Sequence, residues 1–158
     1  MRFYLSILLS LFFMSGAAQA KSCYSKTEAE AEQGIRIHSE LMVIGLNCQH
    51  MTPRGWKNFY SQYRDITNKN ADLFANYEKT LINYYRQSGN NNPERELHTL
   101  RTTFANKVST DAAKMRPDVF CSNFATRIPR AAEMSRADFQ QWAATFHPST
   151  PLNKPLCN

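Results

Sequence analysis

The sequence predicts an all-α fold, a bundle of four to five helices stapled by two disulfides. Three observations carry this. Glycine is scarce, at 5 of 158 residues. The seven prolines sit at segment boundaries. Apolar residues recur three and four apart rather than two, which is the helical period.

Residues 1–20 read as an export signal. Arg2 supplies a positive start, Phe3 through Met14 an apolar run, and Ala18-Gln19-Ala20 the small-x-small pattern that a signal peptidase reads, with cleavage expected before Lys21. The run of about twelve residues is well short of the roughly twenty that span a bilayer, and no other segment approaches that length, so no transmembrane segment is expected. Cys23 does not follow the cleavage site directly, so no lipid anchor is expected either. Residues 21–158 then form a single helical domain with an extended tail over about 148–158. That length suffices for a sizeable core.

The first helix is expected to open at Thr27, with Glu30 three residues on completing a capping box. It runs to Cys48 along the stripe Ala31, Gly34, Ile35, His38, Leu41, Met42, Gly45 and Cys48. Its strongly apolar second half makes it central. Thr52 and Pro53 read as the start of the second helix, because proline at the first helical position lacks only a donor that would have no partner. Trp56, Tyr60, Tyr63, Thr67, Asn70, Phe74, Tyr77, Leu81 and Tyr84 alternate four and three apart and form a seam along it. The weak helix formers of Thr67-Asn68-Lys69-Asn70 are the alternative breakpoint.

Asn92 and Pro93 open a third helix through Leu97, Leu100, Phe104, Val108 and Ala112, and Arg116-Pro117 ends it. Asp118 is read as the cap of a fourth, limited by Pro129. Ser135 with Asp138 starts a short last helix that turns Phe139, Trp142, Ala143 and Phe146 inward. Pro148, Pro151 and Pro155 make the rest extended.

These lengths constrain the four cysteines. At about 1.5 Å rise per residue the first helix holds Cys23 and Cys48 roughly 30 Å apart, beyond the ~7 Å reach of a disulfide. Antiparallel succession of the helices then delivers Cys121 to the Cys48 end. The expected bonds are Cys48 with Cys121 and Cys23 with Cys157, as suits an oxidising compartment. No C-x-x-C or C-x-x-C-H element supports redox exchange or haem attachment.

Of 19 Lys and Arg, Arg2 falls in the leader, and the other 18 against 13 Asp and Glu leave +5. Scattered positive charge favours anionic neighbours, and in an exported protein it offers nucleic acid no footprint.

Chemistry-bearing residues are few. Glu40 lies in the apolar string Leu41-Met42-Val43-Ile44, where desolvation would raise its pKa as in a glycosidase acid; Arg36, four residues earlier, offers instead a surface partner. His38 and Met42 share a helix face at the spacing of two soft-metal ligands, and no third ligand accompanies them in sequence. The plainer reading of His38 is a satisfied core histidine or a boundary residue. The aromatic residues Trp56, Tyr60, Tyr63, Tyr77, Tyr84 and Tyr85 exceed what one core face needs and suggest a partner surface. Phosphate-loop, G-x-S-x-G and H-E-x-x-H motifs are absent, and no cofactor is implied.

Glu40 through Cys48, Thr103-Phe104-Ala105-Asn106 and Phe120-Cys121 resemble segments that recur in small exported helical proteins of Gram-negative bacteria. The resemblance implies helices, a Cys48–Cys121 pair and the periplasm, and it carries no catalytic residue over. The expectation is a non-catalytic periplasmic binding protein of inhibitor, immunity or envelope assembly and stress type, its partner an exported protein or cell-wall component. The alternatives are a cell-wall glycan hydrolase using Glu40 and a soft-metal binder using His38 and Met42. The pattern assigns no oligomeric state.

Overall fold

The structure is a computed structural model and describes residues 21–157. The expected leader, 1–20, lies outside them. Seven α-helices are present among the described residues: α1 (Lys26–Cys48), α2 (Phe59–Lys69), α3 (Ala71–Gln87), α4 (Pro93–Lys114), α5 (Pro117–Phe124), α6 (Arg127–Glu133) and α7 (Arg136–Ala143). None is long and apolar enough to cross a membrane. The fold is all-α, and the count exceeds four to five because two expected helices are each broken in two.

Helix α1 is the axis, touching all six others. Every residue from Ala31 to Ile37 is buried. Its cap is Ser25 rather than Thr27. The Ser25 hydroxyl accepts from the Glu28 N–H at 3.3 Å and the Glu28 carboxylate accepts from the Ser25 N–H at 2.7 Å. Lys21 also holds Glu28, at 2.6 Å. Glu30, the expected partner of Thr27, instead accepts the Tyr77 hydroxyl at 2.9 Å.

The second helix starts at Phe59, not Pro53. Gly55 has φ +85° at the third position of a turn closed by the Trp56 N–H on the Pro53 carbonyl at 3.1 Å. The Asn58 side chain then accepts from the Tyr60 and Ser61 N–H groups. A 3₁₀ turn, Gln49–Met51, fills part of the interval. The seam breaks at Asn70, the alternative the weak helix formers offered: its N–H and its side-chain amide both donate to Ile66 O, at 3.1 and 2.9 Å.

α2 and α3 descend antiparallel to α1. Tyr63 meets His38 in mid-helix, and Ser88 reaches Lys21 O near the Cys23 end, at 2.9 Å. α4 climbs beside α1, placing Phe104 against Arg36.

Arg116, not Asp118, occupies the cap position of α5, with no side-chain bond to the first turn, Pro117 at the first helical position and Asp118 paired to Arg116 at 2.8 Å. The following break falls at Ala125-Thr126, before Pro129, because a proline ring excludes the carbonyl four residues back from a continuing helix. Pro129 itself sits in the first turn of α6, where its missing donor costs nothing. The Ser135–Asp138 capping box of α7 forms as expected, with bonds of 3.2 and 3.0 Å.

Ile35, Leu41, Ile44, Leu81, Tyr84, Phe120, Ile128 and Phe139 are among the fully buried side chains of one core. Both disulfides join the expected cysteines, Cys48–Cys121 with Cα atoms 5.5 Å apart and Cys23–Cys157 with 5.1 Å. Next to the latter, Tyr24 and Leu156 form an isolated parallel bridge through bonds of 2.8 Å to Pro155 O and from the Cys157 N–H.

Candidate functional site

The polar face of α1 is occupied by the chain's own tail. Gln33 donates to Thr150 O at 3.0 Å, Arg36 donates to Pro151 O at 2.7 Å, and Glu32, fully buried, accepts the Asn153 N–H at 3.0 Å. Glu32 also pairs with Arg36 at 3.3 Å. These bonds hold residues 150–153 across α1 and leave a cleft of about 400 Å³ between α1, α6, α7 and the tail.

Arg36, Glu40, Arg127, Arg130, Trp142 and His147 line this cleft. α6 presents Arg127 and Arg130 three apart, one helical turn, on the same face. Arg127 pairs with Glu40 at 3.4 Å. Arg130 enters no ion pair among the described residues. The Arg36 guanidinium lies 4.1 Å from the Phe104 ring centroid, and its buried Nε has no hydrogen-bond partner among the described residues. Behind the Glu40–Arg127 pair a second cavity of about 200 Å³ shares both residues and adds Lys107 and Asp111.

Burial raises the Glu40 carboxyl above the ordinary range, against the opposing pull of Arg127, Arg36 and Lys107. The sequence placed Glu40 in an apolar string and offered it Arg36 as a partner. The structure keeps the first and replaces the second, because Arg36 turns to Glu32 and the tail.

His38 Nε2 and the Tyr63 hydroxyl are hydrogen-bonded at 3.1 Å, and the imidazole packs 4.5 Å from the Phe74 ring centroid. Burial, helped by Arg101, pushes its pKa down to about 4. His38 is half-buried at the edge of the core, and Met42 lies half-buried against that core. No three His, Cys, Asp or Glu side chains gather into a metal-holding group among the described residues.

The expected aromatic surface is mostly interior. Tyr63, Tyr77, Tyr84 and Tyr85 are buried, Tyr60 is half-buried, and Trp56 stands exposed in the loop before α2. Two of the buried hydroxyls are held: Tyr77 donates to Glu30 at 2.9 Å, and Tyr63 is hydrogen-bonded to His38 at 3.1 Å.

Sequence reasoning missed Arg127, Arg130 and His147. The Arg127–Arg130 spacing was a usable signal once a helix through Pro129 was admitted; His147 had none. Compared with known proteins, the chain matches no family model, no curated protein and no solved structure.

Proposed function

We propose that the chain is a non-catalytic binding module outside the cytoplasm, in a Gram-negative cell the periplasm, and that its cleft receives an anionic group of an exported protein or cell-wall partner. One observation carries the reading: Arg127 and Arg130 face the cleft against the single carboxylate of Glu40, leaving the Arg130 guanidinium in surplus. A guanidinium presents a planar fork suited to carboxylate or phosphate, and the half-buried Trp142 ring beside it offers a face for the rest of the ligand. Two formed disulfides and the apparent leader support the compartment. Inhibitors, immunity proteins and envelope assembly or stress factors all fit.

The test uses Trp56→Phe, which leaves Trp142 as the sole tryptophan. Titration with acidic peptidoglycan fragments and with acidic peptides is expected to give a saturable, salt-sensitive change in Trp142 emission that Arg130→Glu abolishes. A flat titration, or one that Arg130→Glu leaves intact, overturns the reading.

A second reading has its own support. Burial raises the Glu40 carboxyl, which lines the second cavity together with Asp111, and two carboxyls beside one cavity are the equipment of a glycan hydrolase. Glu40→Gln should then abolish lysis of purified cell wall while far-ultraviolet circular dichroism stays unchanged. Lysis that survives the substitution removes Glu40 as the acid.

A further inference from the structure

Among the described residues six large apolar side chains are exposed, and five of them, Leu46, Met51, Trp56, Met115 and Val119, belong to one end of the bundle. Leu46 and Val119 each precede by two residues a cysteine of the Cys48–Cys121 bond. Met51 and Trp56 lie on the loop that follows α1, and Met115 lies in the turn between α4 and α5. Trp56 is the most exposed, at 58%. It joins Met51, Pro53 and Phe59 in one wall of an apolar groove of about 280 Å³, with Cys121, Ala125 and Pro129 opposite.

The charged residues at this end are mainly basic. Arg54 and Lys57 flank Trp56, and Lys114 and Arg116 flank Met115. Asp65 pairs with Lys57 and Asp118 with Arg116, while Arg54 and Lys114 enter no ion pair among the described residues. The rim therefore keeps an excess of positive charge around an apolar centre.

We infer that this end is an interfacial docking surface for an anionic phospholipid bilayer. An exposed tryptophan between an arginine and a lysine matches the chemistry of the headgroup layer: the ring occupies the boundary, and the cations meet phosphate. The apolar side chains come from a loop and two helix ends, so they form a tip that enters the boundary without unfolding anything. A second copy of the chain is a poor occupant, because a two-fold interface would set this basic rim against an identical basic rim. The cleft faces elsewhere: Arg127 and Arg130 of α6 line it, while Pro129 of α6 and Thr126 just before it line the groove. The docking inference thus stands independently of the cleft ligand.

The experiment is sedimentation of the disulfide-bonded protein with large unilamellar vesicles, either phosphatidylglycerol with phosphatidylethanolamine or phosphatidylcholine alone. Binding is expected to the anionic vesicles only, with a blue shift of Trp56 emission in Trp142→Phe. Trp56→Ala and Arg54→Glu should each weaken it about tenfold or more, Arg130→Glu should leave it unchanged, and 0.5 M salt should release the protein. Both weakening substitutions are at exposed positions, and their melting temperatures should match the wild type. Absence of sedimentation, equal binding to phosphatidylcholine, or binding that survives Trp56→Ala overturns the inference, as does binding of an acidic peptide at this end without vesicle binding.

Discussion

The guanidinium of Arg36, in the middle of α1, donates at 2.7 Å to the carbonyl oxygen of Pro151, 115 residues later in the chain. The same group pairs with Glu32, whose carboxylate is wholly removed from solvent. Removing one member of such a pair strands the other. Arg36→Ala is expected to cost about 3–5 kcal/mol in urea unfolding, and Arg36→Lys should recover only part of it, because an ammonium cannot serve both partners with a planar fork. A loss below 1 kcal/mol would show that the tail contact contributes little.

Cys157 closes a 134-residue separation to Cys23. Cys157→Ser is expected to lose on the order of 4–5 kcal/mol under oxidising conditions, less any strain in the bond, and to melt with the wild type once both are fully reduced. Equal melting before reduction would mean that the bond constrains nothing the rest of the fold does not.

Gly34 lets α3 approach α1. A Cβ at this position would stand 2.3 Å from Cε2 of Tyr77, whose hydroxyl is held by Glu30. Gly34→Ala should therefore destabilise by about 1–3 kcal/mol, even though alanine normally improves a helix interior by roughly 0.5–1 kcal/mol. In a Tyr77→Ala background the sign should reverse, and a double-mutant cycle reads the coupling.

His38 makes stability pH-dependent in a defined window. Its pKa falls from 6.5 to about 4 on folding, so the folded state favours the neutral ring. That contribution is complete above pH 6.5 and is lost as pH falls towards 4, amounting to at most roughly 3 kcal/mol. His38→Gln, which keeps a partner for Tyr63, should flatten the slope of unfolding free energy between pH 6.5 and 4. An unchanged slope would assign acid sensitivity to other groups.

What was legible in the sequence follows from which interactions have local signatures. The disulfide pairing could be read because helix length alone separates Cys23 from Cys48, and α7 could be read because Ser135 and Asp138 are cap and third residue of one turn. The start of α2 misled because Thr52-Pro53 is a sound helix opening that Gly55, in the left-handed region, overrides. Arg36 was read as a surface residue because its true partners are one fully buried glutamate and a carbonyl oxygen. A main-chain acceptor far along the chain leaves no mark in side-chain spacing, and the same is true of the tail bonds of Gln33 and Glu32. The cleft inherits that illegibility, since its tail wall is set by those bonds.

The dependence of α1 on the tail also bears on the order in which the chain can close. Glu32 is synthesised 121 residues before Asn153, the main-chain donor that completes its bonding. A chain lacking the last few residues would hold a central helix with an unmet carboxylate and an arginine short of its acceptor, so the bundle's axis is sealed only once the tail is present. A product truncated before residue 151 should accordingly fail quality control as a whole, rather than survive as a shortened but folded protein.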